Sequence, residues 1–464
     1  MKVERKRSLI FSGVALALAG VVVGTFAVSQ NSTVLNNVFE IANYETQFIE
    51  EFDAPSNWKT CDTVDKKIYV KNNTDTDIVA RVKLDEEWNA ANGMGLPLVS
   101  NGSGERMAIV NMTDNSGWTL DGTYYYSPTL APGQTSTSVI SGVTLNCDAN
   151  LDEDYRYGNA QYKLSAKVET IQADRALTEW HKISVWQPLQ QVKRKMMGYG
   201  GNSYPAYNCT ESKNRKFLQA DSLGIDPDEA TENQIISDST AADSNTPTYL
   251  WYDEDNDIIY WYSDADDVYM TTSSNNSTPA EFGCFSDLSG FYNVNTSRAT
   301  NFNSAFELFR GSSLHGLEKW DVSNVTDFID IFYTSGNGNL NDLTALSRWD
   351  VSSASIMNYA FNGHKQLVDI SPLAGWNVRN VTQFKKMFQG TGAGADYSHC
   401  TLADWPINTG ILDTYGGDYM FSVDGARNPK TDTHCLDSWN IPYEKAGVNW
   451  FNTNAFDLPS WARF

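Results

Sequence analysis

Basic residues are scarce. Lys and Arg number 34 against 57 Asp and Glu, a formal charge of −23 over 464 residues. Phosphate contacts need a positive footprint, so the balance excludes a nucleic-acid binder, and it gives an anionic membrane surface nothing to attract. Histidine is rarer still, at five. His181 is the only one before His315, and no His-Glu-x-x-His occurs, so a zinc protease lacks its ligands. Gly-x-Ser-x-Gly, P-loop and dinucleotide-binding fingerprints are absent too. Carboxylates abound, but nothing singles out a glycosidase pair. The expectation is a protein without enzymatic activity, with no catalytic residue, cofactor or metal assigned. What the chain does have is core material: 41% hydrophobic residues, with 14 Trp, 23 Tyr and 21 Phe. That is too much for a disordered acidic tail, and the length predicts two or three domains.

Only one long apolar run exists, Leu9 to Val28, preceded by Lys2, Arg5, Lys6 and Arg7. This is the layout of a secretory signal peptide (1–27), with Gly24-Thr25-Phe26-Ala27 offering small residues for cleavage after Ala27. If uncleaved, the run is long enough to anchor the chain in a membrane, its only expected membrane contact. Either way the expected location is extracellular, at the cell surface. Export makes disulfides the first reading of an even number of cysteines. Many connectivities exist. Local pairing favours Cys61 with Cys147, Cys209 with Cys284 and Cys400 with Cys435. His399-Cys400 and His434-Cys435 also offer a Cys2His2 zinc set as the competing reading.

Residues 28–175 alternate with period two between polar turns, as in Ile78-Val79-Ala80-Arg81-Val82-Lys83-Leu84 and Tyr162 to Val168. That predicts an antiparallel β-sandwich. Residues 176–246 read as a connecting region. From 247 onward comes a hairpin, Tyr249-Leu250-Trp251-Tyr252 with Ile258 to Ser263, around the turn Asp253-Glu254-Asp255-Asn256-Asp257. The turn starts like an EF-hand loop but has Ile258 where Gly is required and Asp264 where Glu is required; loose calcium binding is the alternative to a plain turn.

Self-similarity then dominates. Leu-x-x-Trp recurs as Leu317/Trp320, Leu346/Trp349, Leu373/Trp376, Leu402/Trp405 and Leu436/Trp439, after a degenerate Leu288/Phe291. Val322, Val351 and Val378 follow at +2, and Phe332, Phe361 and Phe388 at +12. Apolar residues at +5, +8 and +12 predict a short helix after each short strand, with Ser323, Asn324 and Ser352 near its N-cap. Stacking would then supply the core that no single unit has.

Two resemblances sharpen this reading. Trp320-Asp321-Val322-Ser323-Asn324-Val325-Thr326, Trp349-Asp350-Val351-Ser352 and Trp376-Asn377-Val378-Arg379-Asn380-Val381-Thr382, with Met387-Phe388 and Met420-Phe421, resemble BspA-family leucine-rich-repeat surface proteins over about 247–456. The likeness departs at Trp405 to Phe421. Lys6-Arg7-Ser8 to Ala27, Val70-Lys71-Asn72-Asn73 to Val82, Tyr124-Tyr125-Tyr126 to Gly133 and Lys167 to Ala173 resemble the exported TasA/camelysin-like family, with a SipW-type signal, over about 6–180. That family implies a jelly roll able to form fibres by strand exchange. The expected fold is therefore mainly β plus an α/β solenoid: a jelly-roll-like β-sandwich, then a leucine-rich-repeat array of short strand-plus-helix coils (247–464). The expected function is a bacterial cell-surface or biofilm-matrix adhesion protein. Its partners would be protein or glycan ligands on host, matrix or neighbouring cells, or further copies of itself in a fibre.

Overall fold

The computed structural model describes residues 20–27, 46–52, 58–91, 93–99, 105–147, 157, 160–173, 176, 180–188, 191–192, 215–272, 285–334, 336, 338–392, 401–422, 431–446, 450–451 and 456–462. Two compact units emerge. Unit 1 comprises 1–86, 108–145 and 162–181; unit 2 comprises 87–107, 146–161 and 182–464.

Strands come first along the chain: β1 (Gly20–Ala27), β2 (Thr46–Phe52), β3 (Thr63–Asn72), β4 (Ile78–Asn89), β5 (Gly95–Leu96), β6 (Ala108–Met112), β7 (Thr119–Asp121), β8 (Tyr124–Tyr126), β9 (Ile140–Leu145) and β10 (Gln161–Gln172). They form one sheet ordered β1-β10-β4-β8-β7, with β5 beside the end of β4, and another ordered β2-β3-β9-β6. Alternation explains β3: Val64, Lys66, Ile68, Val70 and Asn72 are buried, whereas Asp65, Lys67, Tyr69 and Lys71 are not. Asn72 closes the turn that follows, donating to the Thr76 and Leu130 carbonyls and accepting from Thr74. Ser136 and Ser138 accept from the Val70 and Ile68 amides, so side chains complete the pairing of β3.

Within unit 2, Thr248–Asp253 and Ile258–Ser263 pair antiparallel, and Arg215–Gln219 joins the second of them in parallel. Segment 87–107 is tied into this unit by Arg348, whose guanidinium lies 2.7 Å from Asn89 Oδ1 and 3.8 Å from Glu87. Trp88 meets the Tyr157 ring edge-on, 5.4 Å between centroids.

The repeats correct the expected architecture. Among the described residues, strands in mostly antiparallel sheets dominate and there is almost no helix, so the described repeats form no strand-plus-helix coils and no α/β solenoid. The Leu-x-x-Trp stretch, expected as strand, is instead a tight turn, entered by the 3-10 segments Thr344–Leu346 and Ser371–Leu373 in two repeats and lying within the 3-10 segment His434–Trp439 in another. The expected helix after it is a pair of turns. One closes with the Val325 amide on Val322 O, the next with the Ile331 amide on Phe328 O. Two features forbid a helix there. The residue at +10 is left-handed, with φ of 54° at Asp330, 58° at Tyr359 and 55° at Lys386. Moreover, alternate amides leave the repeat: Phe328, Asp330 and Phe332 donate to Ile356, Asn358 and Ala360 of the next one. Apolar spacings of three and four residues thus arise from consecutive turns. Ser323 and Ser352 do not cap helices; their amides bond Asp321 and Asp350 in Asx turns.

Two aromatic columns fill the interior. Trp320, Trp349, Trp376, Trp405, Trp439 and Trp461 stack in sequence, centroids 6.2, 6.4, 6.4, 6.5 and 6.4 Å apart. Phe306, Phe332, Phe361, Phe388, Phe421 and Phe451 form the second column at 4.9 to 6.0 Å. Each indole N–H donates to the preceding repeat: Trp349 to Leu317 O, Trp376 to Leu346 O, Trp405 to Leu373 O and Trp439 to Leu402 O. The backbone carbonyl of the tetrapeptide's first residue accepts for its neighbour, a part Phe291 O plays for Trp320, while the Leu side chain itself is held by its burial in the core. Close approach sets the glycines too: Gly316 (φ +108°) and Gly363 (φ +87°) would drive a β-carbon to within 2.1 and 2.2 Å of Leu288 O and Thr334 O.

Candidate binding face of the repeat array

All the residues assigned to the repeat core lie inside. Leu317, Trp320, Val322, Phe332, Leu346, Trp349, Val351, Phe361, Leu373, Trp376, Val378, Phe388, Leu402, Trp405, Leu436 and Trp439 are at most 4% exposed. They build the array and cannot meet a partner. Trp461 escaped the sequence reading. Leu458-x-x-Trp461 repeats the tetrapeptide, but only 22 residues after Trp439. Likewise Phe421 keeps its place in the Phe column although 16 residues separate it from Trp405, because Phe384 N–H still finds Gly416 O and Phe388 N–H finds Met420 O.

Cys61 and Cys147 are disulfide-bonded. Cys209, Cys284 and Cys400 lie outside the described residues, as does His399, so the other two pairings and the zinc alternative do too. Cys435 is half-buried against the array core. Ala27, the expected cleavage point, ends strand β1, on an edge of its sheet. No described helix is long and apolar enough to cross a membrane. The acidic hairpin turn is used by the protein itself. Asp253 accepts from the Asn256 amide and side chain, while Asp257 takes the Arg215 guanidinium at 2.8 Å and the Tyr252 hydroxyl at 3.0 Å. Among the described residues no group of three or more His, Cys, Asp or Glu is placed to hold a metal ion.

What sequence reasoning missed is the left-handed column. Ser304, Asp330, Tyr359, Lys386 and Tyr419 occupy one position of successive repeats, all with φ between 53° and 58°. None of the five is buried, Tyr419 being exposed and the others half-buried, so this column forms a stripe along one side of the array. Lys386 Nζ sits 5.3 Å from the Tyr359 ring centroid and 5.8 Å from that of Tyr419. Tyr333 meets Tyr359 edge-on at 6.1 Å. Nearby, Tyr415 and Tyr419 are 64% and 38% exposed. A polar ladder runs alongside: Asn358 donates to Gln383 Oε1 and Gln383 to Asp413 Oδ2, both at 2.6 Å. At the other end the stripe is acidic. Burial, with Glu307 and Asp327 close by, pushes the Asp330 carboxyl up to about 6. Only Tyr recurs in this column, at Tyr359 and Tyr419, too little for repeat comparison to find; its signal is conformational.

Set beside known proteins, the array gives a match, to the family described as "Mycoplasma protein of unknown function, DUF285", over residues 288–403. Residues 288–403 form a DUF285 domain. Its span runs from the degenerate first repeat, Leu288/Phe291, to just past Leu402, so it holds Trp320, Trp349 and Trp376 of the Trp column and Ser304, Asp330, Tyr359 and Lys386 of the stripe. The match does not reach the region likened to TasA/camelysin proteins, nor does it make these repeats leucine-rich repeats. No curated protein and no solved structure matches the chain.

Proposed function

We propose that the chain is an exported bacterial surface or matrix protein that adheres through the Tyr359–Lys386–Tyr419 stripe of its repeat array, with no chemistry of its own. The stripe carries the reading: aromatic rings with polar tips, half-buried at Tyr359 and exposed at Tyr419, a cation between them and a ladder of amides beside them, all fixed on a backbone bonded from repeat to repeat. Tyrosine on a rigid support binds with little loss of side-chain freedom. The DUF285 domain lends support, since BspA-like surface proteins carry it, and the signal-like start agrees with display outside the cell. The partners proposed are proteins or glycans of host, matrix or neighbouring cells. Binding of the full chain to arrays of glycans and matrix proteins tests this. Saturable binding that falls at least about tenfold in a Tyr359→Ala/Lys386→Ala/Tyr419→Ala variant with an unchanged circular dichroism spectrum is expected. Equal binding by the variant would sink it.

A second reading, a fibre subunit, is favoured by one observation. β1 is an edge strand ending at the expected cleavage point, so its removal would bare β10 for a strand from another copy. Filaments seen by electron microscopy of the chain starting after Ala27 would support this reading; a strictly monomeric product excludes it.

A further inference from the structure

Unit 1 places two opposite charges where its neighbours are hydrocarbon. On β3, Lys66 occupies the inward-facing series with Val64, Ile68 and Val70, and its side chain is fully buried. The β2–β3 register sets Phe52 opposite Lys66 and Glu50 opposite Ile68. Glu50 therefore lies on the same face one step along the diagonal, within reach of a long side chain. Its side chain is 4% exposed and its Oε1 is in direct contact with Lys66 Nζ. The Phe52 ring covers the amine at 4.9 Å from its centroid. This pair is buried more deeply than Arg81–Glu169 in the same unit, whose side chains keep 7% and 10% exposure.

A charged pair in such a place is costly unless its geometry is excellent, and becoming neutral relieves it. Burial lowers the pKa of the Lys66 amine, with Glu50 opposing that shift. The fold thus presents an amine biased toward its nucleophilic form against a carboxyl carbon, with water kept out. Holding two reactants in contact replaces a bimolecular encounter by an intramolecular one, which removes the entropic part of the barrier to amide formation.

We propose that Lys66 and Glu50 are a modification site, joined after folding by an intramolecular isopeptide bond. The Lys66 ammonium first passes one proton to the Glu50 carboxylate, giving amine and carboxylic acid. The nitrogen lone pair then attacks Glu50 Cδ and forms the N–C bond. One carboxyl oxygen departs as water, carrying the acid's proton and a second proton from the nitrogen. The third proton remains on the amide. No oxidant, metal or activating co-reactant enters, and two buried charges become one neutral amide. The bond would rivet β2, at the edge of its sheet, to β3, and so keep an edge strand from peeling away.

Intact mass spectrometry of the purified full chain, with its disulfides reduced and its N-terminus determined, tests this directly. The expected mass is lower by one water than the sequence requires. Protease digestion should also yield a branched peptide joining the segment with Glu50 to that with Lys66. A Lys66→Met/Glu50→Leu variant, which replaces the pair by apolar groups and so keeps the core filled, should show the full mass. A wild-type chain without the deficit overturns the proposal and leaves an ordinary buried ion pair. A deficit that persists in the double variant overturns it equally, since the water then comes from elsewhere.

Discussion

The sheets of unit 1 and the repeats of unit 2 solve the same two problems in opposite ways. In unit 1 the backbone is satisfied between strands, helped by inward-facing Ser136, Ser138 and Asn72, and the interior tolerates ion pairs such as Arg81 with Glu169. In the repeats each turn hands its amides to the next turn, and the interior is a double column of indole and phenyl rings in which the recurring polar event is Trp N–H to Leu carbonyl. A sheet interior can take a charge wherever a partner strand supplies its counter-charge. A stacked interior has no such freedom, because whatever stands at one level must match the level above and below.

The largest expected effect tests that claim. Trp349→Ala removes the middle of the Trp column and should destabilise the array by about 3–5 kcal/mol, read from its urea unfolding. Trp349→Phe should cost less, losing the indole bond while Leu317 O keeps the Trp320 amide, at about 0.5–1.5 kcal/mol. If Phe were neutral, the indole hydrogen bond would not matter to the stack. In unit 1, Arg81→Ala should cost about 2 kcal/mol, because Glu169 loses one of two cations and keeps Lys167 at 2.7 Å, while Arg81→Met/Glu169→Met should recover most of it, because apolar groups can replace a buried pair. Failure of the double variant to recover would show that the charges there are as position-locked as the indoles.

Acid separates the two units further. Buried His364 packs against Gly338, its Nε2 donating to Phe332 O at 2.6 Å and its Nδ1 without a hydrogen-bond partner. Burial lowers its pKa to about 4. The folded array then binds fewer protons than the unfolded chain between roughly pH 6.5 and 4, so stability falls as pH drops through that window, by about 2–3 kcal/mol. Asp330 acts in the opposite sense. Its raised pKa makes the fold hold an extra proton, a contribution complete below about pH 3.8 and lost as pH rises through about 6. Being half-buried, it is worth only about 1 kcal/mol after solvent screening. His364→Phe should therefore leave an array that grows more stable from pH 6 to 4, and Asp330→Asn one that loses stability faster. In unit 1, hydrogen bonds and charge from Lys167 and Arg81 hold Glu169 below its usual range against the desolvation that raises it. Its contribution is present above about pH 4.5 and fades only below that. Thermal melts across pH 3.5–7 should show the array of His364 responding first. The smallest expected effect belongs to the stripe: Tyr359→Ala and Tyr419→Ala should shift stability by about 0.5 kcal/mol or less, while binding suffers.

How much of this was legible depends on what repeats. Leu-x-x-Trp could be read because the tetrapeptide is itself the contact between neighbours, and the hairpin at 248–263 because its turn residues and alternation stand in plain order. The helix was misread because spacings of three and four are shared by a helix and by consecutive tight turns, and nothing in Ser304, Asp330, Tyr359, Lys386 or Tyr419 announces a left-handed backbone. Lys66 and Glu50 were invisible for the converse reason: alternation says which face a residue takes, and a charged residue in the series reads as noise until its partner is seen.

The long interval from Trp405 to Phe421 has one further consequence. The chain spends its extra length before Gly416 and rejoins the ladder in step, so the columns count rings and ignore the distance travelled between them. Loop length on that side is then a free variable for selection and for engineering. A peptide tag grafted at 409–411, where Gly410 and Ile411 are exposed, should be carried as silently as those extra residues already are.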